Sequence, residues 1–164
     1  MNHYNGLNIN MNLPTKKRLI FSLFFILQNK MQTLFDNQWD EITSKQWLIL
    51  IISNAFPNPP SLTEVAQHAG CSRQNVKKIV AVLEKKGFVK LVTEKKTRAV
   101  RIVLTQKFHD FYEPFLEKSS WGINNLFEGM TDDEIETFFT LLNKLRNNVD
   151  HWTDKLYPID SKEK

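Results

Sequence analysis

One cysteine, Cys71, stands in the whole chain of 164 residues. That count excludes an intramolecular disulfide and fits a reducing, cytoplasmic setting rather than a disulfide-stapled secreted scaffold. Glycines number five, too few and too scattered for a phosphate-cradling loop, and no nucleophile elbow or close carboxylate pair occurs. The histidines His3, His68, His109 and His151 lack metal-ligand spacing. The expectation is a protein that is not an enzyme, with no catalytic residues, no metal and no cofactor. A membrane span is missing too. Lys16, Lys17 and Arg18 precede a nine-residue, largely apolar run from Leu19 to Leu27, which resembles a signal peptide. No small-residue cleavage site follows it, and it falls short of the ~20 residues that cross a bilayer. It reads as a buried helix.

With 41% hydrophobic and 24% charged residues, what remains is an ordinary globular chain with room for one domain and a real core. Its net charge of +4 is unevenly spread. Ser61 to Thr105 holds ten Lys and Arg against three acids, Glu64, Glu84 and Glu94, a net +7 that leaves −3 elsewhere. A basic middle between acidic flanks fits one localised polyanion partner, and by itself it fits a lysine-rich solvated surface equally well.

Punctuation along the chain sets out the elements. Residues 1–13 are Asn-rich with little apolar periodicity and read as a flexible arm. Pro14 and Thr15 open a helix to about Phe35 that is apolar on several sides, so it needs more than one partner. Thr43 and Gln46 have capping-box spacing for a second helix to about Asn54, and Pro57, Pro59 and Pro60 end it. Ser61 and Glu64 cap a short third helix. Gly70 and Cys71 make a turn, and a fourth helix runs from Ser72 to Lys86 with Gly87 past its end. Alternation in Phe88–Leu104 around Glu94-Lys95-Lys96-Thr97 predicts a β-hairpin with a charged tip. A long helix follows from Thr105 to Phe127, interrupted or bent near Pro114. Thr131 and Glu134 cap the last helix, where Ile135, Phe138, Leu142, Leu145, Val149, Trp152 and Leu156 repeat at alternate spacings of three and four. That is an a/d seam suited to pairing between chains. No internal repeat is present.

The segment Leu62–Ile79 meets the internal demands of a helix-turn-helix. Ala66 is small where the second helix would cross the first, and Gly70 tolerates positive φ in the turn. Val76 and Ile79 offer apolar contacts, with Val65, Ala69 and Cys71 completing the expected core. The opposite face of the second helix presents Ser72, Arg73, Gln74, Asn75, Lys77 and Lys78, and no acid lies between Gly70 and Leu83. Gln and Asn suit adenine edges, Arg and Lys suit guanine, and hydroxyls and cations hold phosphate. A solvated polar helix face normally mixes in acids, so double-stranded DNA is the favoured partner. Lys95, Lys96 and Arg98 on the hairpin would reach phosphate or the minor groove beside it. A winged-helix module that binds protein and no DNA is the competing reading, since a fold alone does not decide function.

These residues, together with Leu83-Glu84-Lys85-Lys86-Gly87-Phe88-Val89, Leu104-Thr105 and Gly129-Met130-Thr131-Asp132-Asp133-Glu134, resemble the MarR family of winged-helix regulators over about residues 15–150. The resemblance implies a mainly α fold with a small β-hairpin wing. Residues 14–42 and 105–157 would form a helical dimerisation region, and 43–104 a winged helix-turn-helix lobe. It implies a homodimer, with Ile20, Phe24, Leu142, Leu145, Val149 and Trp152 at the interface, acting as a repressor on a palindromic operator. It also implies control by a small aromatic effector, for which Trp39, Trp47, Phe111 and Tyr112 are the candidate lining, or by cysteine oxidation. Two positions depart from the family pattern. Lys96 stands where the family often has an acid before the wing arginine, although Glu94 could substitute. The first helix carries no sensor cysteine, and Cys71 falls at a core position of the turn, where a buried free thiol acts as a small hydrophobe.

Overall fold

A computed structural model describes residues 11–95 and 98–156. The chain is mainly α with one antiparallel hairpin, in the order α1 (Leu13–Gln38), α2 (Ser44–Asn54), α3 (Leu62–Ala69), α4 (Arg73–Lys85), β1 (Val89–Thr93), β2 (Val100–Leu104), α5 (Gln106–Leu126) and α6 (Asp132–Leu156). It divides into two compact units, Met1–Asp110 and Phe111–Lys164.

Helix starts follow the caps read from sequence. At α1 the cap is Asn12, whose Oδ1 accepts the Thr15 N–H at 3.0 Å. The expected arm is therefore too long at its inner end: Asn12 and Leu13 belong to the helix, and residues 1–10 lie outside the described residues. Thr43 and Gln46 exchange bonds of 3.3 Å each at the start of α2, as Ser61 and Glu64 do for α3. Each pair satisfies two main-chain donors that the first turn leaves orphaned. Gly70 takes φ +61, which closes α3 and turns the chain into α4. α4 ends where the Phe88 N–H reaches the Leu83 carbonyl at 3.0 Å and Gly87 takes φ +82.

The core of the first unit is built from Ile49 and Leu50 of α2, Leu62, Val65 and Ala66 of α3, and Val76, Val80 and Leu83 of α4, closed by Phe88, Val89, Ile102 and Phe108. Burying each large side chain here contributes about 1.5–3 kcal/mol before entropy is counted. The α4 contribution corrects the sequence reading. Val76, Val80 and Leu83 lie at i, i+4 and i+7 and form the buried stripe, whereas Ile79 sits one position, roughly 100°, off that stripe and is half exposed. Cys71 is likewise only half-buried, because it follows the αL glycine on the rim of the turn rather than under it.

β1 and β2 pair with Leu91 opposite Ile102. A short third edge is added where Ser61 bridges Arg101 and the Ile102 N–H bonds the Pro60 carbonyl at 2.8 Å. The Asp36 carboxylate accepts the Ser44 N–H at 2.6 Å, tying the end of α1 to the start of α2. α1 itself departs from the expected buried helix. None of its residues is buried, and Ile20 and Phe24 are 50% and 38% exposed. One chain offers too little surface to cover a helix that is apolar on several sides.

In the second unit α5 continues without interruption through Pro114 to Leu126. Thr131 and Glu134 cap α6 reciprocally at 2.8 and 3.3 Å, and Asp132, Asp133 and Glu134 complement the positive end of its dipole. The a/d positions Leu142, Leu145, Val149 and Trp152 form an exposed seam. No helix among the described residues is long and apolar enough to cross a membrane.

Candidate nucleic-acid interface

The turn between α3 and α4 is held by main-chain bonds. Gly70 and Cys71 donate to the Gln67 and Ala66 carbonyls at 3.3 and 3.1 Å. Ser72 then caps α4, its Oγ accepting the Asn75 N–H at 3.2 Å. This fixes the direction of α4 and leaves Ser72, Arg73, Gln74, Asn75, Lys77 and Lys78 all exposed. The sequence-derived set on α4 thus lies on the solvent side of the helix whose other side is the core. With no acid until Glu84, the first turns of α4 present amides, cations and a hydroxyl to whatever docks there. The Glu84 carboxylate, in the last turn of α4, accepts the Leu91 N–H of β1 at 2.8 Å.

At the hairpin tip the Glu94 N–H bonds the Ala99 carbonyl, and the Arg98 N–H bonds the Glu94 carbonyl, both at 2.9 Å. Arg98 takes φ +56. A non-glycine residue in that region is held against a conformational preference by its surroundings, here by those tip bonds. Lys95 and Arg98 are exposed; Lys96 lies outside the described residues.

Sequence reasoning missed Arg101. Its Nη1 lies 3.0 Å from Glu64 Oε2, and its Nη2 lies 3.3 Å from Glu94 Oε2. One guanidinium therefore joins the first turn of α3 to the wing. The Glu64 carboxyl sits below the usual carboxylate range, first because the Ser61 main-chain N–H bonds it, then through the Ser61 side chain, with the Arg101 charge adding to both. No local signal marks this pair, since 37 residues separate its members.

A cavity of about 610 Å³ lies between α1, α2 and the α3–α4 turn. Its walls include Met31, Phe35, Trp47, Cys71, Asn75 and Ile79. Ser44 also lines it, and among the described residues the Ser44 Oγ is a buried side-chain oxygen with no hydrogen-bond partner. Of the aromatic residues expected around an effector, Trp47 is in the wall, and Trp39 is not among the lining residues. Phe111 and Tyr112 belong to the second unit. No cluster of His, Cys, Asp or Glu able to hold a metal occurs among the described residues.

These features define a winged helix-turn-helix: α2 to α4 with a two-stranded wing and a second helix that carries no acid before Glu84. No family model matches the sequence. Among solved structures, a MarR protein from Peptoclostridium difficile is similar with a TM-score of 0.72 at 20% identity, over 92% of this chain and 97% of that one. A MarR/EmrR family transcriptional regulator from Acinetobacter sp. reaches 0.73 at 23% identity, over 86% and 99%. The S. aureus MepR–DNA complex reaches 0.67 at 18% identity, over 77% and 94%. The chain thus has the fold of the MarR-type winged-helix regulators.

Proposed function

We propose that the chain is a sequence-specific, double-stranded DNA-binding transcriptional regulator of the MarR type. In this reading it is a ligand-responsive repressor that acts as a homodimer on a palindromic operator. The observation that carries this is the exposed first turns of α4, free of acid up to Glu84 and rooted by the Ser72 cap, together with the exposed wing cations Lys95 and Arg98. Gln74 and Asn75 in its first turn are the base readers, because their amides both donate and accept. Arg73, Lys77, Lys78 and the wing cations hold phosphate, with Arg98 at the phosphate or the minor groove. A solved structure of the same fold is a DNA complex, which supports DNA as the partner.

Dimerisation is supported by two exposed apolar faces, the Ile20–Phe24 side of α1 and the Leu142–Trp152 seam of α6. Exposed large side chains in such density signal a surface covered by a partner, and a second copy fits the two-fold symmetry of a palindrome. The cavity beside Trp47 supports the effector. A small aromatic ligand there gives the Ser44 hydroxyl a partner and touches Asn75 on the reading helix.

The test is titration of the full chain against a cognate duplex, selected from random sequence, and a scrambled duplex over a range of salt. Binding should weaken linearly in log–log form, with a slope of about −0.9 per phosphate contact, and the cognate duplex should be preferred. A chain that bound no duplex at low salt would instead be a protein-interaction module.

A further inference from the structure

We propose that Arg101 is a positioning residue that sets where the wing stands against the helix-turn-helix, without itself contacting DNA; the inference rests on the DNA-binding reading above. A two-stranded hairpin is marginal alone and takes its orientation from what it is tied to. Among the described residues its ties include the Ser61–Arg101 bridge beside the start of α3. The Ile102 N–H bonds Pro60 and the Leu91 N–H bonds Glu84, both at the base or middle of the ribbon. Toward the tip, among the described residues, the Arg101 side chain joins Glu64 of α3 at 3.0 Å and Glu94 at 3.3 Å.

Three features separate Arg101 from the wing cations. Its charge is already met by two carboxylates, while Lys95 and Arg98 stand exposed. Its side chain is 33% exposed, and its guanidinium spans two elements with a planar fork, which a lysine cannot do. The Glu64 carboxylate is also anchored by the Ser61 N–H at 2.6 Å, so Arg101 ties the wing to a fixed point on α3. Exposed single pairs are weak. A forked cation between two oriented acids is stronger, and its loss frees the tip that carries Arg98.

Glu94 gives a test whose sign decides the matter. By charge alone, Glu94→Gln removes a negative group beside a polyanion and should tighten DNA binding. If Arg101 and Glu94 hold the wing in place, the same change should weaken cognate binding by about three- to tenfold, as Arg101→Gln does. Arg101→Lys should recover less than half of that loss. The Arg101→Gln loss should largely vanish in an Arg98→Ala background, because it acts through the same wing contact. Amide exchange across β1 and β2 of the free protein should quicken in Arg101→Gln and Glu94→Gln and remain slow in Arg98→Ala. Tighter binding by Glu94→Gln, full recovery with lysine, additive Arg98 and Arg101 losses or unchanged wing exchange would each overturn the proposal. If the wild type bound no duplex, the DNA reading would fall. Wing exchange in the free protein would still decide whether Arg101 holds the hairpin.

Discussion

Truncating Asn75 to alanine removes a side chain from the first turn of α4 and leaves the helix start intact. The cap at this position uses the Asn75 main-chain N–H, which bonds Ser72 Oγ at 3.2 Å and survives the substitution. Alanine is the better helix former by about half a kcal/mol, so the variant should be no less stable. Lost binding therefore cannot be attributed to unfolding. The removed amide can donate to and accept from one base edge, and such a bidentate contact is worth about 1–3 kcal/mol of discrimination. That range corresponds to a Kd on the cognate duplex raised about 5- to 150-fold. Affinity for a scrambled duplex should barely change, since a neutral side chain contributes no counterion release, and the salt slope should stay as in the wild type. Arg98→Ala is the counterpart: it should weaken every sequence and lower the slope by about one contact. Fluorescence anisotropy of both variants on cognate and scrambled duplexes at several salt concentrations makes the comparison. If Asn75→Ala weakened both duplexes equally and left their ratio intact, the assignment of α4 as the reading helix would be refuted.

Three further outcomes are expected. Leu145→Glu places a charge in the α6 seam, where the native side chain is 38% exposed; light scattering should show loss of the dimer together with loss of operator binding, and a stable, DNA-competent monomer would contradict the seam. A ligand seated beside Trp47 should alter tryptophan emission and weaken DNA, and operator DNA must weaken that ligand by the same factor; an aromatic-acid screen that left DNA affinity untouched would count against the cavity as an effector site. Glu64 is held below its ordinary value of 4.5 by Ser61 and Arg101, so its contribution to stability is present above that pH and is lost as pH falls through the lowered folded value. Glu64→Gln should therefore be less stable than the wild type near neutral pH, with the gap closing on acidification in chemical denaturation, and a gap that stayed constant would refute the assignment.

Much of the fold was legible because its signals act within a few residues. The capping pairs Thr43/Gln46, Ser61/Glu64 and Thr131/Glu134 each complete their bonds over three positions, so spacing alone announces them. Gly70 adopts the positive φ that its place in the motif required. The solvent side of α4 followed from composition, since a helix with an apolar stripe must turn its other face to water. Tertiary structure decided the rest. Whether Ile79 or Val80 enters the core depends on the angle at which α3 crosses α4, and a difference of one residue exchanges them. Arg101 was one of ten cations in the basic stretch until folding brought it to Glu64, 37 residues away. The Ser44 hydroxyl became an unpartnered oxygen on a cavity wall only when α1 and the α3–α4 turn met around it. Hydrogen bonds along a turn belong to local backbone geometry, which neighbouring residues dictate. The Arg101–Glu64 pair, the cavity and the choice between adjacent apolar residues belong to the packing of distant segments, and no short stretch of this sequence contains all the parts.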